Sequence, residues 1–243
     1  MKALEFDHVN MDFCTKDSKL KVLDDISFSV NTGEIIAITG PSGAGKSTIL
    51  NLISNLITPS SGKVTVNGSI GYMFQRDHLF EWKSIYKNIL LGLEIQDKVT
   101  KENLKAVDRM IEAYGLADFR DNYPNELSGG MRQRVALIRT LSVNPSILLL
   151  DEPFASLDYQ TKLNVSEDIY KIIKQVHKTT LIVSHDISEA IAFADLVIVL
   201  SERPARIKEI IKINIDAPSP LKKRQAKGFQ EYFEHTWGVL NNE

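Results

Sequence analysis

Apolar and polar side chains alternate with period two over residues 4–9 and again over residues 26–30 (ISFSV), which predicts strands with one buried face. Asn31-Thr32-Gly33 supplies a turn, and Ile35–Thr39 follows as a continuously apolar run suited to a strand covered on both faces. A Gly-rich loop comes next. Residues 47–56 read as a helix, broken by Pro59-Ser60-Ser61-Gly62. Residues 64–66 and 70–74 are further short strands, and Asn67-Gly68 between them predicts a hairpin turn.

From about residue 84 to 143 the period lengthens. Residues 85–93 form one helical piece, and residues 102–114 place Leu104, Val107, Met110 and Ile111 on one face. Residues 130–143 form a third helix, stopped by Asn144-Pro145. Strand signals return at 147–150, 180–183 and 196–200, separated by helical stretches at 161–176 and 187–194. This alternation predicts an α/β fold with a mainly parallel sheet covered by helices. The helical middle, about 76–143, reads as a subdomain inserted in a single domain spanning 1–243. Residues 216–243 read as a C-terminal linker and helix. Asp216-Ala217-Pro218-Ser219-Pro220 is the linker, and Lys222, Lys223, Arg224 and Lys227 are a solvated helix face.

Composition narrows the function classes. Lys plus Arg number 29 against 31 Asp plus Glu, so no global basic field recommends a nucleic acid partner. Cys14 is the single cysteine, which excludes an intrachain disulfide and suits a reducing compartment. The opening MKALEFDHVN lacks a signal-peptide core. No apolar run approaches the roughly 20 residues of a membrane span; the longest candidate, residues 190–200, is broken by Asp195. The chain is expected to be soluble.

Candidate chemistry starts at Gly40-Pro41-Ser42-Gly43-Ala44-Gly45-Lys46-Ser47, which fits G-x-x-x-x-G-K-[ST] between a predicted strand and a predicted helix. Such a loop closes backbone N–H groups around phosphate oxygens at a helix N-terminus. Lys46 would reach the β- and γ-phosphates, Ser47 would ligate Mg²⁺, and Thr48 continues the binding segment. Residues 147–152 (ILLLDE) are an apolar strand ending in two acids, with Asp151 placed to hold Mg²⁺ and Glu152 to act as general base. These features alone leave kinases, GTPases and many ATPases open. Residues 127–134 (LSGGMRQR) add a second anion-binding helix end, with Ser128 as N-cap and Gly129 and Gly130 allowing close backbone approach.

With LSGGMRQR upstream of ILLLDEP, the chain resembles the ATP-binding subunits of ABC transporters from about Leu4 to Ile215. The resemblance implies a P-loop NTPase core with a mainly parallel sheet, an N-terminal antiparallel β part and an inserted helical subdomain. It implies a head-to-tail homodimer in which Ser128, Gly129 and Gly130 contact the γ-phosphate on the other copy's P-loop. Gln75 matches the glutamine that senses γ-phosphate and metal, and Ala155-Ser156-Leu157-Asp158 matches a loop crossing the dimer interface. His185 matches the histidine that contacts the γ-phosphate and orients the catalytic groups. Phe13 stands where the family stacks an aromatic on adenine.

Residues 75–82 (QRDHLFEW), 157–162 (LDYQTK) and 200–207 (LSERPARI) further resemble the importer branch for nitrate, aliphatic sulfonates, taurine and thiamine precursors. That branch usually has Pro where Glu81 stands, Ala or another residue at Tyr159 and Gly at Ala205. The implied protein is a peripheral ATPase using ATP and Mg²⁺ at the cytoplasmic face of the membrane. Its partners would be a permease docked at the Gln75 loop and, indirectly, an extracellular solute-binding protein. An ABC ATPase of efflux or lipoprotein release, and a soluble P-loop kinase, are the alternatives.

Overall fold

The computed structural model describes residues 1–14, 18–155 and 157–241. The order is β1 (Lys2–Cys14), β2 (Lys19–Asn31), β3 (Ile35–Thr39), α1 (Lys46–Ile53), β4 (Ser61–Val66) and β5 (Ile70–Met73), then α2 (Ile85–Ile95), α3 (Lys101–Ala113) and α4 (Gly129–Ser142). Strands and helices then alternate as β6 (Ile147–Asp151), α5 (Tyr159–Val176), β7 (Thr179–Val183), α6 (Ile187–Phe193) and β8 (Leu196–Leu200). The last elements are β9 (Ile207–Lys212), α7 (Pro220–Gln225) and α8 (Phe229–Asn241).

The strands form two sheets. One is antiparallel, in the order β2-β1-β4; the other runs β5-β6-β7-β3-β8-β9 and is parallel except for β9. Every residue of β3, β6 and β7 is buried, which accounts for the apolar runs at 35–38, 147–150 and 181–183 within them. Alternate side chains serve opposite faces. Ile35, Ala37, Leu148 and Leu150 join the core under α5 and α6, whereas Ile36, Ile38, Ile147 and Leu149 join the core beneath α1 and the antiparallel sheet. A third cluster gathers α2, α3 and α4 around Ile89, Val107 and Val135. Helix α4 belongs to two cores, giving Val135 and Ile138 to that cluster and Ala136, Leu137 and Leu141 to the sheet. Side-chain caps fix where the helices start: Ser84, Thr100, Ser128, Asp158, Asp186 and Ser219 each accept a first-turn amide, typically about 1 kcal/mol apiece.

Three expectations need correction. Asn67-Gly68 does not make a hairpin: β4 pairs with β1 in one sheet and β5 with β6 in the other. The Asn67 backbone N–H and side-chain amide instead donate to the carbonyls of Ala3 (2.8 Å) and Lys2 (2.9 Å), turning the chain from sheet to sheet. Lys223 is not on a solvated face. It is 4% exposed and donates to the Ala194 carbonyl at the end of α6, 2.7 Å away, and burial pushes its pKa down to about 8. Ser219 and Pro220 are no linker either, since Ser219 caps α7 and Pro220 is its first residue.

Candidate active site

The carboxyl ends of the parallel strands converge, as expected for a ligand crevice in an open α/β sheet. β3 delivers residues 40–45, β5 leads to Gln75, β6 ends in Asp151 with Glu152 next, and β7 leads through Ser184 to His185. Gly43 (φ 78°) and Gly45 (φ 88°) occupy the left-handed region that favours glycine. A Cβ on Gly45 would also lie 2.8 Å from Val22 Cγ1 and 2.9 Å from Leu23 Cδ2. Gly45 is the N-cap of α1 and offers no side-chain acceptor, so the first-turn amides keep their capacity for an anion.

Lys46 is 7% exposed, and its Nζ donates to the carbonyls of Gly40 and Pro41, both at 2.8 Å. Burial lowers its pKa, while the charges of Glu152 and Asp151 act to raise it. A cavity of about 430 Å³ opens beside this lysine. Ser42, Gly43, Ser47 and Thr48 form its phosphate-loop side, and Phe13, Leu20 and Val22 its apolar side. Phe13 is 39% exposed here and does not belong to the core. Ala44 packs inward against the β1–β2 core instead.

The two acids differ in setting. Asp151 is buried, and its Oδ1 accepts from Ser47 Oγ at 3.2 Å; the Tyr72 hydroxyl lies 3.4 Å from its Oδ2 and 3.3 Å from Asn51 Oδ1. Burial raises the Asp151 pKa, as does the charge of Glu152, against the hydrogen bonds from Ser47 and Tyr72. Burial first, and then Asp151, push the Tyr72 phenol up and keep it protonated. Glu152 adopts φ 44°, rare for a residue with a side chain, while its N–H donates to Val183 O at 3.0 Å. Its Oε2 accepts from Gln75 Nε2 at 3.2 Å and lies 3.1 Å from His185 Nδ1. Three strand ends therefore meet on one carboxylate oxygen.

Mg²⁺ fits this donor set. The Ser47 hydroxyl and Asp151 carboxylate are adjacent hard oxygens, and a buried acid beside a second acid gains from a cation. Among the described residues no cluster of three or more His, Cys, Asp and Glu could hold a metal alone, so nucleotide phosphates and water would complete the shell.

Ser128, Gly129 and Gly130 do not line this cavity. Ser128 and Gly129 are exposed at the start of α4, where Ser128 accepts from the Met131 amide. Gly130 is buried, and a Cβ there would lie 2.8 Å from Val165 Cγ2, so α4 and α5 need it small. Ser156 lies outside the described residues; Asp158 caps α5. After Gln75 the loop is fastened to α4: Arg132 Nε donates to Asp77 Oδ2 at 2.8 Å and Arg132 Nη2 to Glu81 Oε1 at 2.9 Å. Beside that pair Trp82 is 73% exposed. Sequence reasoning had missed Tyr72, Asn51 and Arg203 near the site. Tyr72 lies three residues before Gln75, a local cue, but no local spacing links Arg203 to residue 40.

Residues 23–155 match the family model described as ABC transporter. The chain is 44% identical to an ABC transporter ATP-binding protein of Bacillus subtilis (strain 168), covering 100% of this chain and 97% of the relative. It is 36% identical to a nitrate import ATP-binding protein of Synechocystis, covering 96% and 92%. An aliphatic sulfonates import ATP-binding protein of Bacillus cereus is 34% identical, covering 94% and 92%. Among solved structures, a dimeric ATP-binding cassette in a post-hydrolysis state bound to ADP and Pi superposes with a TM-score of 0.74 at 27% identity, covering 87% of this chain and 99% of that one.

Proposed function

The chain belongs to the ABC transporter family, and from that premise we propose that it is the ATP-hydrolysing subunit of a membrane importer for a small solute of the nitrate or sulfonate kind. The observation that carries the chemistry is the meeting of Gln75, Glu152 and His185 beside a P-loop whose lysine is already drawn over the loop carbonyls. Lys46 and the amides of residues 43–48 hold the β- and γ-phosphates, and adenine stacks on Phe13. Ser47, Asp151 and Gln75 would hold Mg²⁺, which would supply neutralisation of charge on the phosphate oxygens. Glu152 accepts the proton of the attacking water, and Gln75 and His185 fix the carboxylate that does so.

Ser128, Gly129 and Gly130, which do not line their own P-loop cavity, serve the cavity of a second copy in a head-to-tail dimer. Residues 76–143 act as the moving helical subdomain, and the Arg132 bonds to Asp77 and Glu81 make α4 and the Gln75 loop shift together. The permease docks at the Glu81–Trp82 surface on the cytoplasmic side, and an extracellular binding protein delivers the solute to it. Among the described residues no helix is long and apolar enough to cross a membrane. Reconstitution with permease and binding protein in vesicles tests the reading. Solute uptake should require MgATP on the side of this chain and release phosphate to water. Phosphorylation of a metabolite in place of phosphate release would contradict it.

A further inference from the structure

Arg203 stands in the turn between β8 and β9 and lines the same cavity as Ser42, Lys46 and Glu152. We propose that its guanidinium binds the phosphate tail of the nucleotide, an assignment that rests on the cavity being the nucleotide site.

The turn is anchored on both sides of Arg203. Before it, Leu200 abuts the phosphate loop: a Cβ on Gly40 would lie 3.0 Å from Leu200 Cβ and 3.1 Å from its carbonyl oxygen. After it, Ala205 is fully buried; its N–H donates to Val22 O at 2.8 Å, and its carbonyl accepts from Asp24 N at 2.9 Å. Val22 and Leu23 are the residues that crowd Gly45. The backbone around Arg203 is thus braced against both ends of the loop that runs from Gly40 to Gly45.

Of the neighbouring cations, Lys46 belongs to the phosphate loop itself, where it rests on two loop carbonyls, whereas Lys21 and Arg206 are committed to Asp24. Arg203 is exposed and has no hydrogen bond or ion pair with any described residue. A planar fork of donors, carried on a braced backbone at the mouth of an anion site and free of other partners among the described residues, suits two phosphate oxygens at once. The same fork can also stack on an adenine ring, which would give a base contact, and the two are separable by ligand.

ATP and adenosine are titrated against the wild-type chain, Arg203→Ala, Arg203→Lys and Lys46→Ala. Arg203→Ala should bind ATP roughly tenfold more weakly at low ionic strength, the lower range for a hydrogen bond to a charged group. Added salt should shrink that difference, adenosine affinity should hold, and Arg203→Lys should recover part of the loss. Thermal midpoints should match the wild type. Unchanged ATP affinity in Arg203→Ala, with Lys46→Ala weakened, would overturn the proposal and leave the site standing. An equal loss for adenosine would overturn it as well, as a base contact. Equal ATP binding by the wild type and Lys46→Ala would overturn the site itself and the Arg203 assignment with it.

Discussion

Glu152→Gln isolates the proton-accepting step. The substitution preserves the shape of a side chain held at φ 44° by the turn in which the residue 152 N–H donates to Val183 O. A glutamine oxygen can still accept from Gln75 or approach His185, so the cluster keeps its arrangement. What disappears is the capacity to take a proton from water. Losing a general base costs about 10²- to 10⁴-fold, which is about 3–5 kcal/mol of barrier at 1.36 kcal/mol per decade. Binding should respond in the opposite sense. The Glu152 charge repels the γ-phosphate, so ATP affinity should hold or tighten in the variant. Phosphate release at saturating MgATP, calorimetric ATP titration and size-exclusion chromatography read the three quantities on one preparation. The expected result is a stalled, ATP-loaded dimer that elutes early and releases phosphate at least a hundredfold more slowly. Wild-type turnover would move the base to another residue, and loss of ATP binding would show that Glu152 supports the site and not the chemistry.

Phe13→Ala should weaken ATP by about 1–3 kcal/mol, the range for base–aromatic stacking, while Phe13→Tyr binds normally; unfolding of the alanine variant without a binding defect would return Phe13 to the core. Trp82→Ala should leave ATP turnover of the isolated chain intact and lower co-purification with the permease, and unchanged assembly would remove that surface as the contact. Lys223→Met tests the buried cation against α6. Burial first, helped by Lys174 and opposed by Asp195, sets its folded pKa at about 8, below the ordinary 10.5. The unfolded chain therefore binds more protons between these values, and stability should rise with pH there by up to about 3 kcal/mol. Equilibrium unfolding at pH 7 and pH 10 should show that rise in the wild type and its loss in Lys223→Met. Equal pH slopes would place the titration elsewhere.

The interior strands were the most legible part of the chain. Residues 147–150 and 180–183 fall within one residue of β6 and β7, because a strand buried on both faces writes its length as an apolar run. β1 was read as 4–9 and extends over 2–14, since register shifts near Val9 and Met11 break its alternation. β9 escaped notice because this edge strand breaks its apolar run with charged side chains, here Lys208, Glu209 and Lys212 among isoleucines. Asn67-Gly68 misled because turn chemistry is local, whereas the choice of sheet is made by β1 and β6. The same division holds at the site. Gly40 to Ser47 and the Asp151–Glu152 pair are contiguous and readable from spacing. Gln75 and His185 could be named only through the family resemblance, for they reach Glu152 from the ends of other strands. Lys223 was hidden in a run of like charges, of which it alone turns inward to a helix end.

In the proposed head-to-tail dimer each ATP site is built from two copies of the chain, Lys46 of one and Ser128 of the other. Mixing Lys46→Ala with Ser128→Arg tests it most directly. Each variant alone should fail, the first for lack of the phosphate-binding lysine and the second because an arginine displaces the contact at the exposed start of α4. In a verified heterodimer one site carries both defects, and the other joins an intact Lys46 to an intact Ser128. MgATP-dependent dimerisation, measured by sedimentation of the mixture, should return in the mixture and in neither parent. A mixture that stays monomeric with MgATP, under conditions where the wild type dimerises, would contradict the shared site.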